Sequence, residues 1–231
     1  MPSRTRNVLT VWLTACLLVM ATASSAHFLL NLNVRIFHVE HISDGMRVFL
    51  RTPMPYLVAD KIGDEGVAGL PAAAPFTTNS FEDGQVVHFI DLSQVEADPL
   101  GLGRITEAGT VIEIGGTLVK GVVESVSIHR VGEEPGFATL AEAKQAVSAG
   151  STLSGAVPTY VGDVVIDMSL LYSPGQSVSQ YRFSSLLDPG LPDQDMTANL
   201  ILDYAAGEPL VFRSRGLMKD PVEVSRSRLS G

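Results

Sequence analysis

Three histidines near the start of the chain have the type and spacing that could bind a metal ion. His27 becomes the first residue of the mature protein if a signal peptide is removed after Ala26, and an N-terminal histidine offers its amine as well as its ring. His38 and His41 lie close to Asp44, and imidazole beside carboxylate suits a divalent ion such as nickel or copper. We therefore take His27, His38 and His41 as the candidate metal ligands.

Strand geometry limits what these histidines can do together. At about 3.3 Å per residue, His27 and His38 are roughly 36 Å apart in an extended strand, so they cannot bind the same ion. His38 and His41 differ in strand parity and point to opposite faces unless the turn bends. We favour the plainer interpretation, in which both are solvated residues of a hairpin turn and no cofactor is held. His88 and His129, within predicted strands, are interpreted as ordinary packed or surface histidines.

A short acidic loop is the second candidate metal site. Asp188, Asp193 and Asp195 lie among prolines and a glycine, and calcium prefers clustered carboxylate oxygens. The loop lacks the spacing of a dedicated calcium site, so we interpret it as a rigid, solvated turn.

The recognised catalytic motifs are missing from the sequence. It has no nucleophile elbow, no Ser-x-x-Lys, no His-Glu-x-x-His and no phosphate-binding glycine loop. We therefore predict that the protein is not an enzyme. A hydrolase without a recognisable motif is an alternative.

The first 26 residues have the organisation of a secretory signal peptide. Arg4 and Arg6 precede the apolar run Val8–Met20, and the small residues Ala21–Ala26 follow. The run is shorter than a membrane-spanning helix, which needs about 20 apolar residues. We expect cleavage after Ala26, or after Ala23, and a protein located in the periplasm or at the extracytoplasmic face of the membrane.

Cys16 is the single cysteine of the chain. Residues 13–16 resemble a lipobox, which would make Cys16 a lipidated first residue. The apolar run continues beyond it, so we interpret Cys16 as a residue discarded with the signal. The mature part then has no cysteine, and its fold depends on its core without disulfides.

The charge balance restricts the partners. The chain has 16 basic and 25 acidic residues, a net charge of −9, and the leader contains two of the bases and none of the acids. An acidic protein is a poor ligand for nucleic acid or anionic lipid. No apolar stretch after His27 is long enough to cross a membrane, so we expect a soluble or peripheral protein.

Period-two alternation predicts many short strands. Phe28–Ile36 is predicted to be a half-buried strand, with Leu32 and Val34 facing inward and Arg35 on the opposite, solvent side. Val164–Leu170 alternates apolar residues with Asp167 in the same way. Further strands are predicted at residues 46–50, 86–92, 111–114, 117–119, 121–130, 178–187, 198–204, 210–214 and 222–225.

The clearest helix signal is Leu140–Ala149. Thr139 and Glu142 form a capping box, and Gly150 is suited to the residue after the helix. Weaker helical signals occur at residues 54–62 and after residue 98, where two glycines weaken the pattern.

These elements predict a mainly β fold, an antiparallel β-sandwich of immunoglobulin-like or related type with one or two short helices. Residues 27–150 form a β-rich domain or first half that includes the helix 140–149. Residues 151–231 form a second half or a small second domain. The Ser- and Gly-rich residues 151–158 are a boundary or a loop.

Four short sequence segments resemble segments of a known protein family: Ala26-His27 before a long first strand, Arg51–Leu57, Asp188–Pro192 and Glu223–Ser227. The chain resembles the extracytoplasmic N-terminal region of HupE/UreJ-type membrane proteins. The resemblance implies a link to transport of nickel or a related metal. The family's membrane helices, which carry histidine and aspartate, have no counterpart up to Gly231, so no metal-handling residue carries over. We expect the chain to be a piece of a longer protein or a separately encoded soluble part.

Three functions follow from these patterns. The first is a non-enzymatic extracytoplasmic module that associates with a membrane-protein partner and is linked to nickel transport. The second is a periplasmic metal-binding or metal-delivery protein that uses His27. The third is the hydrolase.

Overall fold

The computed structural model describes residues 33–225 apart from residues 65, 67, 68 and 206. The predictions for the signal peptide, for Cys16, for His27 and for the start of the first strand lie outside the described residues.

The described elements are mostly strands. In chain order the strands are β1 (Val34–Ile42), β2 (Gly45–Pro53), β3 (Thr77–Glu82), β4 (Gln85–Ile90), β5 (Thr110–Ile114), β6 (Thr117–Val119), β7 (Val122–Arg130), β8 (Val164–Tyr172), β9 (Gln180–Ser185), β10 (Ala198–Tyr204), β11 (Leu210–Arg215) and β12 (Val222–Ser225). The α-helices are α1 (Pro55–Val58), α2 (Leu92–Ala97), α3 (Gly101–Gly109) and α4 (Leu140–Ser148). The prediction of a mainly β protein with short helices is confirmed.

The strands form two large sheets and one hairpin. The six-stranded sheet has the order β11-β10-β1-β2-β8-β7, the four-stranded sheet has the order β12-β9-β5-β6, and β3 pairs with β4. In the six-stranded sheet β1 and β10 are parallel, whereas the other neighbours are antiparallel. Both sheets contain strands from before and after residue 150, so the two halves of the chain share one core. Residues 151–158 form a loop.

Both faces of the six-stranded sheet are covered. The four-stranded sheet packs on one face, where the rings of Phe37 and Phe183 meet with centroids 4.7 Å apart. Helix α4 packs on the other face, where Ala143 and Val147 join Phe49 in a separate apolar cluster. Strand β8, in the middle of these layers, is buried along almost its whole length.

Helix α4 forms as its local signals predict. The capping box of Thr139 and Glu142 is present, and Gly150 has a φ of +78°, which an L side chain rarely adopts. Helix α2 was not predicted. Its N-cap is nevertheless of an ordinary kind: Asp91 accepts hydrogen bonds from the backbone N–H groups of residues 93 and 94.

Two glycines weaken the helix signal of α3 in the sequence, but they are needed for its close packing in the structure. A Cβ at Gly101 would lie 2.0 Å from Cζ of Phe76, and one at Gly103 would lie 2.5 Å from a methyl of Val123. The glycines therefore let α3 lie against its neighbours, and tertiary packing outweighs their low helix propensity.

Among the described helices, none combines the length and the apolar character that a membrane crossing requires.

Candidate functional site

His38 and His41 lie on opposite faces of the six-stranded sheet, as their parity predicted. Strand β1 continues through both residues, and the turn follows at residues 43 and 44. The interpretation as solvated turn residues is wrong, because His38 is completely buried and the side chain of His41 is 11% exposed. The two rings therefore cannot bind one ion together.

Both ring nitrogens of His38 are already in hydrogen bonds. Nε2 lies 2.9 Å from the carbonyl oxygen of Phe137, which can only accept, so Nε2 carries the proton. Nδ1 then accepts from the hydroxyl of Tyr204 at 2.9 Å. Burial lowers the pKa of His38, which keeps the ring neutral. Its lone pair is not free for a metal ion.

His41 forms a chain of polar contacts at the other face. Its Nε2 lies 2.9 Å from Oδ2 of Asp203, and the same oxygen accepts from the hydroxyl of Tyr181 at 2.9 Å. In the part of the chain that the structure describes, Nδ1 of His41 is buried without a hydrogen-bond partner. The histidine of a catalytic triad is the general base for a hydroxyl or thiol nucleophile bonded to its second nitrogen. No described hydroxyl or thiol is bonded to Nδ1 of His41, so these three residues do not have the geometry of a triad.

Within residues 33–225, as far as they are described, no three His, Cys, Asp or Glu side chains converge as a metal site. His88 is bonded through Nδ1 to Oδ1 of Asn79 at 2.7 Å, so it has a packing role. In the acidic loop, Asp188 instead forms an ion pair with Lys219. The candidate ligand His27 lies outside the described residues.

A buried ion pair lies under helix α4. Arg51 donates two hydrogen bonds of 2.6 Å to the carboxylate of Asp167, and a third, of 2.8 Å, to the carbonyl of Pro135. Nε2 of the buried His129 lies 3.5 Å from the same carboxylate. Burial raises the pKa of Asp167, and the contacts with Arg51 oppose that shift. These groups are bonded to one another and buried, so the network has a structural role and offers no access to a substrate.

The described surface contains an open cleft of about 530 Å³ beside helix α3. Phe76, Ile105 and Leu187 provide apolar walls. Leu186 lines the same cleft with a side chain that is 69% exposed, whereas the adjacent Leu187 is buried. The sequence indicates this arrangement, because Leu186 and Leu187 are neighbours at the end of the predicted strand 178–187. Adjacent side chains in an extended chain point to opposite sides.

The charged groups of the cleft neutralise each other. Lys61 pairs with Asp60 at 2.6 Å, and Arg104 pairs with Asp98. The cleft therefore combines an apolar wall with a rim of little net charge, which suits an apolar group and not a phosphate or a polyanion.

Sequence reasoning also missed Arg35, which was assigned to the solvent side of the first strand. That assignment is wrong, because Arg35 points between the two sheets and is 2% exposed. Its Nε donates to Oδ1 of Asn199 at 2.8 Å. Val34, predicted to face inward, is only half-buried on the opposite face.

The chain matches no protein-family model, and a comparison with curated proteins finds no match. The resemblance to the HupE/UreJ family therefore stays an expectation from the sequence.

Proposed function

We propose that the protein is a non-enzymatic extracytoplasmic module that associates with a membrane-protein partner, and that Leu186 anchors this contact. The observation that carries the proposal is the 69% exposure of Leu186 beside an apolar cleft of about 530 Å³. Leu186 and the apolar wall together form an exposed apolar patch with a charged rim, and such a patch marks a contact surface between proteins.

The polar groups of the described structure support this choice over catalysis or metal delivery. His38, His129, Arg51 and Asp167 are buried and bonded to one another or to neighbouring groups, so they act in the fold. The acids and bases of the cleft are paired on its rim. A partner that inserts an apolar side chain would leave these ion pairs in water. A link with nickel transport depends on the family resemblance alone.

Leu118 offers a matched control for Leu186. Both leucines are 69% exposed, but Leu118 lies on β6, opposite Glu113, and is not among the residues that line the cleft. A photo-crosslinking amino acid is introduced at 186 or at 118 of the full chain in intact cells. We expect adducts with an integral membrane protein from position 186 and not from 118. Equal adducts from both positions, or none with a membrane protein, would contradict the proposal.

Charged substitutions provide the second arm. Leu186→Asp should weaken recovery with the membrane fraction about 30-fold, because burying one leucine contributes about 2 kcal/mol. Leu118→Asp should leave recovery unchanged, and both variants should unfold at nearly the wild-type temperature because both side chains are exposed. Unchanged recovery of Leu186→Asp would remove Leu186 from the contact.

A further inference from the structure

Strand β11 is one edge of the six-stranded sheet, and no other described strand pairs with its outer side. In an antiparallel pair, residues that exchange backbone hydrogen bonds alternate with residues whose N–H and C=O groups point away from the partner strand. The N–H of Gly216 donates to the carbonyl of Thr197, and these two residues continue the register of β10 and β11 by one position. The alternation therefore directs the N–H and C=O groups of Val211, Arg213 and Arg215 toward the open edge.

The side chains of the same three residues are exposed on one face of the sheet. Val211 is 40% exposed, and both arginines are exposed as well. Neither Arg213 nor Arg215 forms an ion pair or a hydrogen bond with a described residue. The exposed Arg104 and Arg182, in contrast, are each paired with a carboxylate. In a chain with 25 acidic and 16 basic residues, the edge of β11 is therefore a local excess of positive charge.

An apolar row leads across the sheet to this edge. Residues directly opposite each other on neighbouring strands lie on the same face. One such row consists of Phe49 on β2, His38 on β1, Leu202 on β10 and Val211 on β11. Phe49 packs against helix α4, and Leu202 is half-buried. The row therefore starts beneath α4 and ends, exposed, at the open edge.

A second copy of the chain is a poor occupant of this edge. Two copies of β11 related by a twofold axis would pair antiparallel. A pair centred on Arg213 or on Ser214 places arginine opposite arginine, and like charges directly opposite each other destabilise a sheet. The charge of the edge complements a segment that carries acidic residues.

We propose that the edge of β11 is a docking site for an extended acidic segment of another protein, which adds to the sheet as an antiparallel strand. The outward N–H and C=O groups of β11 bind its backbone, as in other complexes formed by strand addition. Carboxylates at two alternate positions lie opposite Arg213 and Arg215. An apolar residue lies opposite Val211 and extends the apolar row. None of these three residues lines the cleft of Leu186, so the two contact surfaces are separate.

The first test uses a short blocked peptide with the order glutamate, threonine, glutamate, threonine, valine between flanking threonines. In the antiparallel arrangement its glutamates lie opposite Arg215 and Arg213, and its valine lies opposite Val211. Fluorescence anisotropy of the labelled peptide measures its affinity for the purified protein. Arg213→Met and Arg215→Met should each weaken binding about fivefold, which corresponds to the loss of one exposed ion pair.

Arg182→Met is the matched control, because Arg182 is also an exposed arginine of a strand but has Glu113 as its partner. This variant should bind the peptide as the wild type does. All three side chains are exposed, so the variants should unfold at nearly the wild-type temperature. No binding of the peptide to the wild type would mean that the arginines only protect an open edge from aggregation, and it would overturn the proposal.

Exchange of the charges tests the pairing directly. Arg213→Glu combined with Arg215→Glu should lose the glutamate peptide and bind a peptide with lysine in place of both glutamates. The wild type should show the opposite preference. Equal binding of the two peptides by both proteins would overturn the proposal.

Methylation of peptide nitrogens separates strand addition from attraction between charges. Residues directly opposite Val211, Arg213 and Arg215 direct their N–H groups at β11. N-methylation of the glutamates and the valine should therefore abolish binding, whereas N-methylation of the threonines between them should leave it unchanged. Equal binding of both methylated peptides, accompanied by binding of the protein to vesicles of phosphatidylcholine and phosphatidylglycerol, would identify a surface for anionic lipid and overturn the proposal.

Discussion

Arg51 and Asp167 face each other on β2 and β8, and the guanidinium donates two hydrogen bonds of 2.6 Å to the carboxylate. The ring of Phe137 covers the guanidinium with its centroid 4.4 Å away. Both charges are shielded from water by helix α4 and by the segment before it. The pair therefore connects the middle of the sheet to the layer above it.

Removing one partner of this pair should destabilise the protein strongly. Asp167→Asn or Arg51→Met should lower the free energy of unfolding by about 3–5 kcal/mol, because each leaves a buried charge uncompensated. Arg51→Met combined with Asp167→Leu should cost less than the sum of the single changes. Urea denaturation measures all of these values.

The exposed pair of Arg182 and Glu113, with a separation of 3.3 Å, is the control. Arg182→Met should cost less than about 1 kcal/mol, because water screens this pair. If Arg182→Met and Arg51→Met lowered the free energy of unfolding equally, burial would not determine how much Arg51 contributes to stability.

His38 should make stability depend on pH. Burial is the main cause that lowers its pKa below the ordinary 6.5, whereas the unfolded chain binds the proton near 6.5. The unfolded state therefore takes up the proton first, so the stabilisation present above pH 6.5 is lost as the pH falls below that value. His38→Gln keeps a donor for Phe137 and an acceptor for Tyr204 without a titrating group. Urea unfolding between pH 7 and pH 5 should show a smaller loss of unfolding free energy for His38→Gln than for the wild type. Equal losses would contradict protonation of His38 as a cause.

Local signals in the sequence predicted most elements of the fold. The predicted strands 198–204 and 222–225 coincide with β10 and β12. The hairpin of β5 and β6 has glycines with positive φ at 115 and 116, as its turn required. These features depend on neighbouring residues, so one sequence is enough to find them.

The environment of each strand face could not be predicted in the same way. Alternation assigned Arg35 and Asp167 to the side opposite the apolar residues, but it does not indicate what covers that side. In the structure, sheet β12-β9-β5-β6 covers Arg35, and α4 lies over the sheet face of Asp167. Both covering elements are distant in sequence. The open cleft was therefore invisible to pattern analysis, since it arises where such distant elements meet.

Gly101→Ala should destabilise the protein although alanine is the better helix former by about 1 kcal/mol. The new Cβ would lie 2.0 Å from Cζ of Phe76, so α3 must move away from its neighbour. Ala108→Gly, at an exposed position of the same helix, should also destabilise, by about 1 kcal/mol, through propensity alone. Circular dichroism during thermal unfolding measures both variants. A higher Tm for Gly101→Ala would show that the close contact does not control α3.

Nickel or copper should not bind through His38 and His41 acting together. The two rings point to opposite faces of the sheet, His38 has both nitrogens in hydrogen bonds, and His41 is bonded to Asp203. A tight site for these ions needs several ligands that converge in one geometry. Titration calorimetry of the purified protein should therefore give the same affinity for the wild type and for His38→Ala/His41→Ala. His27→Ala, measured beside them, tests the N-terminal ligand separately. Micromolar or tighter binding that disappears in the double variant would favour metal delivery over the partner-binding module.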